Sequence, residues 1–209
     1  MDFDAIKNAM ADLEEDELLG AVNGIIDAGG EGAPEAFTAM QDGMKVVGDR
    51  FEEGEYFVGD LIYAGEIMTD AMEVLKPALA GESGGVGGRM IICTVKDDLH
   101  DIGKNIVKAM LEAGGFEVLD LGVDTQPETI VETAKNENIS IIALSGVLTL
   151  ALDSMKETVE AFEAAGVRDK VKIIVGGAPV SEEACKNIGA DAWAQSPQKT
   201  VEICRGWLA

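Results

Sequence analysis

Hydrophobic residues in the first 81 positions recur at the three- and four-residue spacing of amphipathic helices. In one segment, for example, Phe37, Met40, Met44, Val47 and Phe51 share one predicted face. Short connections between four such segments indicate an antiparallel four-helix bundle. The helices are expected at about residues 4–13, from 15 to a glycine-rich break at 28–32, from 34 to 53, and from 57 to about 77.

Beyond residue 88 the pattern changes to short apolar runs that alternate with helical segments. The strands are almost continuously apolar, which is typical of a sheet covered on both faces. Alternation of five strands with five helices predicts a parallel, doubly wound sheet. The strands are expected at 90–95, 116–121, 139–144, 171–175 and 191–194, and the helices at 102–113, 128–136, 153–165, 181–188 and 198–208.

A glycine-rich stretch separates the two patterns. Residues 82–88 are interpreted as a flexible linker, so the predicted domains are a helical cap at 1–81 and an α/β domain at 89–209. Few contacts are expected to cross such a boundary, and the two domains could therefore move relative to each other.

Charge and composition exclude several classes of function. The formal net charge of −23 argues against nucleic acid and against docking on anionic lipid, since both need clustered Lys and Arg. The three cysteines form no paired motif, which favours a reducing cytoplasm over a disulfide framework. The acidic N-terminus is no signal peptide, and no apolar run is long enough to span a membrane.

Candidate chemistry centres on His100, the single histidine of the chain. It follows the first strand and lies between acidic residues, Asp97, Asp98 and Asp101. An imidazole with carboxylates in reach is placed to hold a metal and to have its own proton controlled. The aspartates could instead simply cap the following helix, and the local sequence leaves both interpretations open.

Unusual residues also follow the third and fourth strands. Ser145 to Thr149 come after the third strand, and Gly176-Gly177 after the fourth. Carboxyl ends of parallel strands share one edge of the sheet, where ligands bind in open α/β folds. Small residues there leave room for a flat or chain-like group, although the glycines could also serve only a turn.

The order Asp98-x-His100-x-x-Gly103, Ser145-x-Val147 and Gly176-Gly177 resembles the signature of base-off, histidine-on cobalamin-binding proteins. The helical half resembles the cap of cobalamin-dependent methionine synthase and of methyltransferase corrinoid proteins, through the run GMKVVGDRFEEGEYF at 43–57. The resemblance therefore covers the whole chain. It implies a helical cap followed by a flavodoxin-like (Rossmann-type) five-stranded parallel sheet.

The resemblance implies a role for each matching residue. His100 would replace the cofactor's benzimidazole as the lower cobalt ligand, and Asp98 would hydrogen-bond its other ring nitrogen. Phe51 and Val58 would shield the upper, methyl-bearing face. The serine that extends this Asp–His pair in methionine synthase is Ala151 here, which puts a hydroxyl-completed relay in doubt. Asp97, Leu99, Asp101, Ile102 and Gly103 would line the lower corrin side, and Ser145, Val147, Thr149, Gly176, Gly177 and Pro197 the slot for the nucleotide tail.

The implied function is that of a methyl carrier, alternating between cobalt(I) and methylcobalamin. One partner would be a donor-specific methyltransferase and another a tetrahydrofolate- or coenzyme M-specific methyltransferase, with a reductive activator. Aryl methyl ethers, as in O-demethylase systems, methanol, methylamines and quaternary amines are candidate donors. Two alternatives remain: the small subunit of a carbon-skeleton mutase, and a cobalamin sensor. The chain would be a component of an enzyme system and not a complete enzyme.

Overall fold

The computed structural model describes residues 2–79 and 88–208 and divides into two compact units, one all-helical and one α/β. Most of the expected linker, residues 82–87, lies outside the described residues, and only Gly88 falls within them. Among the described helices, none combines the length and the apolar character needed to cross a membrane.

Four helices form the first unit, as expected. The first helix is capped by Asp2, whose carboxylate accepts the Ala5 amide at 3.1 Å. The interior consists of apolar side chains that are at most 1% exposed, among them Met10, Leu18, Met40 and Met68. The bounds are α1 Phe3–Ala11, α2 Glu15–Asp27, α3 Ala33–Glu52 and α4 Val58–Leu79.

Helix α4 differs from the expectation at its end, because it continues past Pro77 to Leu79. Proline lacks an amide hydrogen and therefore cannot donate the i→i−4 hydrogen bond. In the last turn of a helix the loss of that one bond is tolerated, since few further bonds depend on it.

Five parallel strands form the sheet of the second unit, in the order β2-β1-β3-β4-β5 expected for a flavodoxin-like fold. The predicted sheet is therefore confirmed. The strands are β1 Arg89–Thr94, β2 Glu117–Asp120, β3 Ile141–Ser145, β4 Lys172–Gly176 and β5 Ala192–Ala194. The helices are α5 Ile102–Ala113, α6 Pro127–Asn136, α7 Ala151–Ala164, α8 Glu182–Ile188 and α9 Pro197–Gly206, with a 3₁₀ turn at Arg168–Lys170.

Both faces of the sheet are covered, as the apolar strands predicted. On one face Ile91, Cys93 and Val95 join a core formed with α6, α7 and α8. Met90 and Ile92 alternate with them along β1, so they point to the opposite face, and they are buried as well. Burial of Cys93 raises the pKa of its thiol to about 12, as suits an inert core residue.

The register of the strand pairs places the carboxyl ends of the strands at one edge of the sheet. Thr94 is paired with Ser145, Ser145 with Gly176, and Gly176 with Ala194. The loops that follow these residues therefore leave the sheet side by side. The site residues predicted in the α/β unit lie in these loops or at the ends of the strands and helices that the loops connect.

Candidate functional site

The loop between β1 and α5 presents His100 at the carboxyl edge of the sheet. A turn from Val95 to Asp98 closes with a 3.1 Å bond from the Asp98 amide to the Val95 carbonyl. Asp97 occupies the left-handed region in this turn, with a φ of 65°. The chain then passes Asp98 and places His100 in front of α5, with its side chain 52% exposed.

Asp98 is the polar centre of the site, and its side chain is only 1% exposed. Oδ1 accepts the His100 main-chain N–H at 2.9 Å and lies 3.1 Å from Nδ1 of the ring. Oδ2 accepts the amides of Val147 at 2.7 Å and Leu148 at 3.1 Å. Asp98 therefore joins the β1–α5 loop to the β3–α7 loop, and it is not a cap of α5.

These contacts keep Asp98 ionised. Burial raises the pKa of its carboxyl, but the amides of His100, Val147 and Leu148 and the His100 ring together outweigh burial and hold the pKa below its ordinary value. An ionised Asp98 can only accept, so it favours the tautomer of His100 that carries a hydrogen on Nδ1. Nε2 then has its lone pair available, and no described residue hydrogen-bonds to it.

The amides of Val147 and Leu148 hydrogen-bond to Asp98 in place of the serine hydroxyl that is absent at Ala151. Ala151 is buried at the start of α7, while the two loop amides occupy Oδ2 of Asp98. A main-chain amide donates a hydrogen bond but does not exchange its proton readily. The carboxylate is therefore held in place without a side-chain hydroxyl to continue a relay.

Apolar side chains close to His100 in the sequence face solvent. Leu99, in the same loop, is 69% exposed, and Ile102, the first residue of α5, is 72% exposed. The β3–α7 loop, joined to it through Asp98, adds exposed Val147, Leu148 and Leu150. A cluster of exposed large apolar residues is typical of a binding surface, and this one offers a nonpolar bed around an imidazole.

Glycines shape the space on either side. A Cβ atom on Gly103 would meet nothing within 4 Å, so open space lies beside the first turn of α5. Gly177 has a φ of 123°, and a Cβ there would overlap the carbonyl of Gly146. Gly177 therefore lets the β3 and β4 loops touch through their backbones, whereas packing in the described structure does not require a glycine at 103.

The remaining residues predicted in the α/β unit lie along the same edge. Asp101 accepts a bond from Asn105 at 3.2 Å, and Ser145 is half-buried at the end of β3. Thr149 is exposed in the β3–α7 loop, and Gly176 ends β4. Pro197 begins α9, directly after the Ser196 cap.

The two predicted cap residues, Phe51 and Val58, lie in the helical unit. Phe51 is half-buried near the end of α3, and Val58 begins α4 and is 43% exposed. Phe57, just before it, is 71% exposed, and its amide donates to Asp60 at 2.7 Å. The turn between α3 and α4 thus presents apolar side chains to solvent.

An Arg50 network fixes this turn. Its Nη1 donates to the Ala11 carbonyl, to the Asp12 carboxylate and to the Tyr56 hydroxyl, each at 2.7 Å. The guanidinium also lies 5.3 Å from the centre of the Tyr56 ring. The end of α1 and the turn before Phe57 are held together by these contacts.

The sequence did not predict two sets of polar contacts at the carboxyl edge of the sheet. Lys104, only 3% exposed, forms an ion pair with Asp120 at the end of β2. Thr94 and Asp124 hydrogen-bond to the His100 loop. The one signal in the sequence was the polar character of Thr94 and Lys104 within otherwise apolar or core-facing segments.

The residues present fit a cobalt corrinoid. Within the described ranges, no group of three or more His, Cys, Asp or Glu side chains is arranged to hold a metal ion. A metal bound by His100 alone must bring its other ligands with it, as a corrin ring does with its four nitrogens. The exposed apolar bed and the open space beside Gly103 suit a flat macrocycle.

Comparison with models of protein families supports binding of a corrinoid. A B12 binding domain model matches residues 88–202, and a second B12 binding domain model matches residues 2–76. The fold and the site therefore define a B12-binding protein with a helical module ahead of the α/β module.

Similar proteins show to which family of B12-binding proteins the chain belongs. A corrinoid protein of Desulfitobacterium hafniense strain Y51 is 34% identical, with 96% of this chain and 94% of the relative covered. A trimethylamine corrinoid protein of Methanosarcina acetivorans is 37% identical, with 97% and 94% covered. A crystal structure of a cobalamin-binding protein from Desulfitobacterium hafniense DCB-2 is 47% identical, covers 100% of both chains and has a TM-score of 0.91. The chain belongs to the corrinoid protein family of methyltransferase systems.

Proposed function

We propose that this chain carries a methyl group on the cobalt of a cobalamin whose lower ligand is Nε2 of His100. The observation that carries the proposal is the pairing of His100 with Asp98. The Asp98 carboxylate lies 3.1 Å from Nδ1, and no described residue hydrogen-bonds to Nε2. The cofactor's own base would be displaced, and its nucleotide tail would lie in a slot lined by Ser145 at the end of β3 and Gly176 at the end of β4.

A bound cobalamin would supply a cobalt centre for the transfer of a methyl group from one substrate to another. The chain's own residues would prepare this chemistry. Asp98 would orient the ring of His100 and stabilise positive charge on it. Leu99, Ile102 and Val147 would supply an apolar surface, and the open space beside Gly103 would leave room for the macrocycle.

For the helical unit, we propose the shielding role that the resemblance implies. Phe51 and Val58, together with the strongly exposed Phe57, offer apolar surface that could exclude water from the methyl-bearing face. The Arg50 network keeps the turn before Phe57 in one conformation, which supports such a role.

The proposed partners are a donor-specific methyltransferase, an acceptor methyltransferase that uses tetrahydrofolate or coenzyme M, and a reductive activator. Methylamines lead the candidate donors, because several relatives are named as methylamine corrinoid proteins. Aryl ethers and methanol are the competing donors. The buried, unpaired cysteines fit a reducing compartment such as the cytoplasm. A mutase subunit has less support, since it would not need the helical module matched at residues 2–76.

The test uses the full chain and His100→Ala. The wild type should bind cobalamin with the benzimidazole released and a protein nitrogen on cobalt. In ¹⁵N-labelled protein with unlabelled cobalamin, this ligand is seen as ¹⁵N coupling in the electron paramagnetic resonance of the cobalt(II) form. His100→Ala should fold, because the side chain is half-exposed on a loop, but should lose that coupling. Unchanged coupling in the variant would overturn the ligand assignment.

The donor is tested separately. Wild type loaded with cobalamin would be reduced and incubated with candidate donor methyltransferases and labelled trimethylamine, dimethylamine, methanol or an aryl methyl ether. Label should reach a thiol or tetrahydrofolate acceptor only with the matching pair. Transfer from no donor, with cobalamin bound through His100, would contradict the carrier role and leave the binding site intact.

A further inference from the structure

The His100 loop is hydrogen-bonded to the last residue of β1 and to the β2–α6 loop. Three polar groups make these contacts: the Thr94 hydroxyl, the Asp124 main-chain amide and the Asp124 carboxylate. None of them reaches His100 itself. Their effect on the site would therefore pass through Asp97 and Asp98.

Thr94 is the buried part of this arrangement and is 0% exposed. Its hydroxyl donates to the Asp98 carbonyl at 2.6 Å and accepts the Asp124 amide at 3.0 Å. The same Asp124 amide also lies 3.0 Å from the Asp98 carbonyl. The carbonyl of Asp98 thus accepts from two donors, the Thr94 hydroxyl at the end of β1 and the Asp124 amide in the loop after β2.

Asp124 provides a second connection. Its carboxylate accepts the Asp97 amide at 2.8 Å. Asp97 and Asp124 both adopt left-handed backbone, with φ values of 65° and 50°. That conformation is unfavourable for residues with a Cβ and persists where surrounding contacts maintain it. The Asp97 turn immediately precedes the segment that carries Asp98 and His100.

Asp98 is therefore held from two directions. Thr94 and Asp124 fix its carbonyl, while His100, Val147 and Leu148 surround its carboxylate. A rotation of the Asp98 backbone would move the carboxylate away from Nδ1 of His100. The main-chain contacts consequently determine whether the carboxylate meets the ring.

We propose that Thr94 and Asp124 are positioning residues that set the pose of the Asp98–His100 loop, one from the end of β1 and the other from the β2–α6 loop. This inference rests on the proposed role of His100 as a cobalt ligand, but its first test needs no cofactor. The two residues act on the ligand through Asp97 and Asp98, and neither hydrogen-bonds to the imidazole.

The first experiment measures residue-resolved amide hydrogen exchange of the full-length apoprotein by NMR. Thr94→Val keeps the shape and β-branching of threonine but removes the hydroxyl, and Asp124→Ala removes the carboxylate. We expect the amides of Asp97 and Asp124 and the His100 main chain to exchange about three- to tenfold faster, as the loss of one hydrogen bond predicts. Thr94→Ser and Asp124→Asn keep an acceptor and should restore slow exchange.

The matched control is Thr158→Val, which also removes a fully buried threonine hydroxyl, one that donates to the Ser154 carbonyl at 2.8 Å within α7. It should leave exchange in the His100 loop at the wild-type rate. If Thr94→Val and Asp124→Ala behave like this control, the proposal is overturned. General destabilisation would accelerate exchange throughout the sheet in all the variants and would also count against it.

The second experiment uses cobalt(II) cobalamin. In Thr94→Val the ratio of nitrogen-ligated to nitrogen-free cobalt should fall about three- to tenfold against wild type, with Thr94→Ser and Thr158→Val within twofold. Wild type without nitrogen coupling would refute the cobalt-ligand role and leave the exchange result to decide the inference. Wild-type coupling that Thr94→Val leaves unchanged would refute the inference alone.

Discussion

The Asp98 carboxylate oxygen that lies 3.1 Å from Nδ1 of His100 is the same oxygen that accepts the His100 main-chain N–H at 2.9 Å. Ring and backbone are thus bound to one atom, so the imidazole has little freedom to rotate about its own side-chain bonds. A ligand held in this way is oriented before a metal arrives, which lowers the cost of binding it.

Asp98→Asn should weaken histidine ligation. The amide nitrogen of asparagine is a donor, and it would face either the N–H groups of His100 or the amides of Val147 and Leu148. On that side of the residue a donor would therefore face donors, and a hydrogen bond would be lost. We expect cobalamin affinity to fall about 10- to 100-fold. Titration followed by absorbance measures this affinity. Asp169→Asn is the control, because Asp169 is exposed in the 3₁₀ turn before β4 and is not a predicted site residue. Equal affinities of Asp98→Asn and this control would contradict the role of Asp98.

Gly103→Leu should lower the affinity for cobalamin without lowering the stability of the fold. Open space surrounds this position, and glycine is a poor helix former, so thermal stability of the apoprotein should stay level or rise by up to about 1 kcal/mol. Cobalamin affinity should fall at least about tenfold, since the side chain would fill space that we assign to the corrin.

Gly24→Leu is the matched control for that change, because Gly24 lies inside α2 and a Cβ there also meets nothing within 4 Å. Its affinity for cobalamin should equal that of the wild type. Strong binding by Gly103→Leu would show that the macrocycle does not occupy the space beside α5.

Gly177→Ala should destabilise the fold itself. Its left-handed backbone and the overlap with the Gly146 carbonyl together predict a loss of at least about 2 kcal/mol in the free energy of unfolding. Gly176→Ala should cost less, because the nearest atom to its Cβ, the Ala194 carbonyl oxygen, lies 3.2 Å away. Urea unfolding of the apoproteins gives both values, and the reverse ranking would contradict the described β3–β4 contact.

The ion pair between Lys104 and Asp120 predicts an acid-sensitive contribution to stability. Burial raises the pKa of Asp120, but Lys104, the Gly122 amide and Lys108 outweigh it and place the pKa below its ordinary value. The stabilisation is therefore fully present above the unfolded-state pKa of about 3.9 and is lost as the pH falls through the lower folded-state pKa.

Asp120→Asn leaves the buried Lys104 ammonium without its partner and should cost about 3 kcal/mol at pH 7. The difference from wild type should shrink as the pH approaches 3, measured by urea unfolding across that range. Glu182→Gln, which removes an exposed pair with Lys186, should show little effect at either pH. A constant difference for Asp120→Asn would exclude the ion pair as its cause.

Sequence reasoning recovered the elements well because burial and periodicity are local properties. Helix α5 begins and ends at the expected residues, Ile102 and Ala113. Helix α4 runs past Pro77, since a proline near a helix end costs only one bond. Strand ends moved by one or two residues, as at β3, which begins at Ile141 instead of Ile139.

The site was recovered unevenly. The motif Asp98-x-His100 predicted the pairing of these two residues, and the structure has the two groups in contact. The roles of all the predicted site residues in cofactor binding stay predictions. The contacts of Thr94 and Asp124 with the His100 loop were not anticipated, because they depend on how the loops after β1 and β2 pack against each other.

The amino-acid sequence by itself determined where the helices and strands lie, which face of each is apolar, and that one histidine stands at a strand end among carboxylates. Tertiary structure alone decided that the second oxygen of Asp98 meets the Val147 and Leu148 amides and that Asp124 supports the turn before it. The physical reason is that side-chain periodicity is written in residue types, whereas every residue except proline offers the same main-chain N–H. Which of these amides a buried carboxylate meets depends on how the strand ends pack.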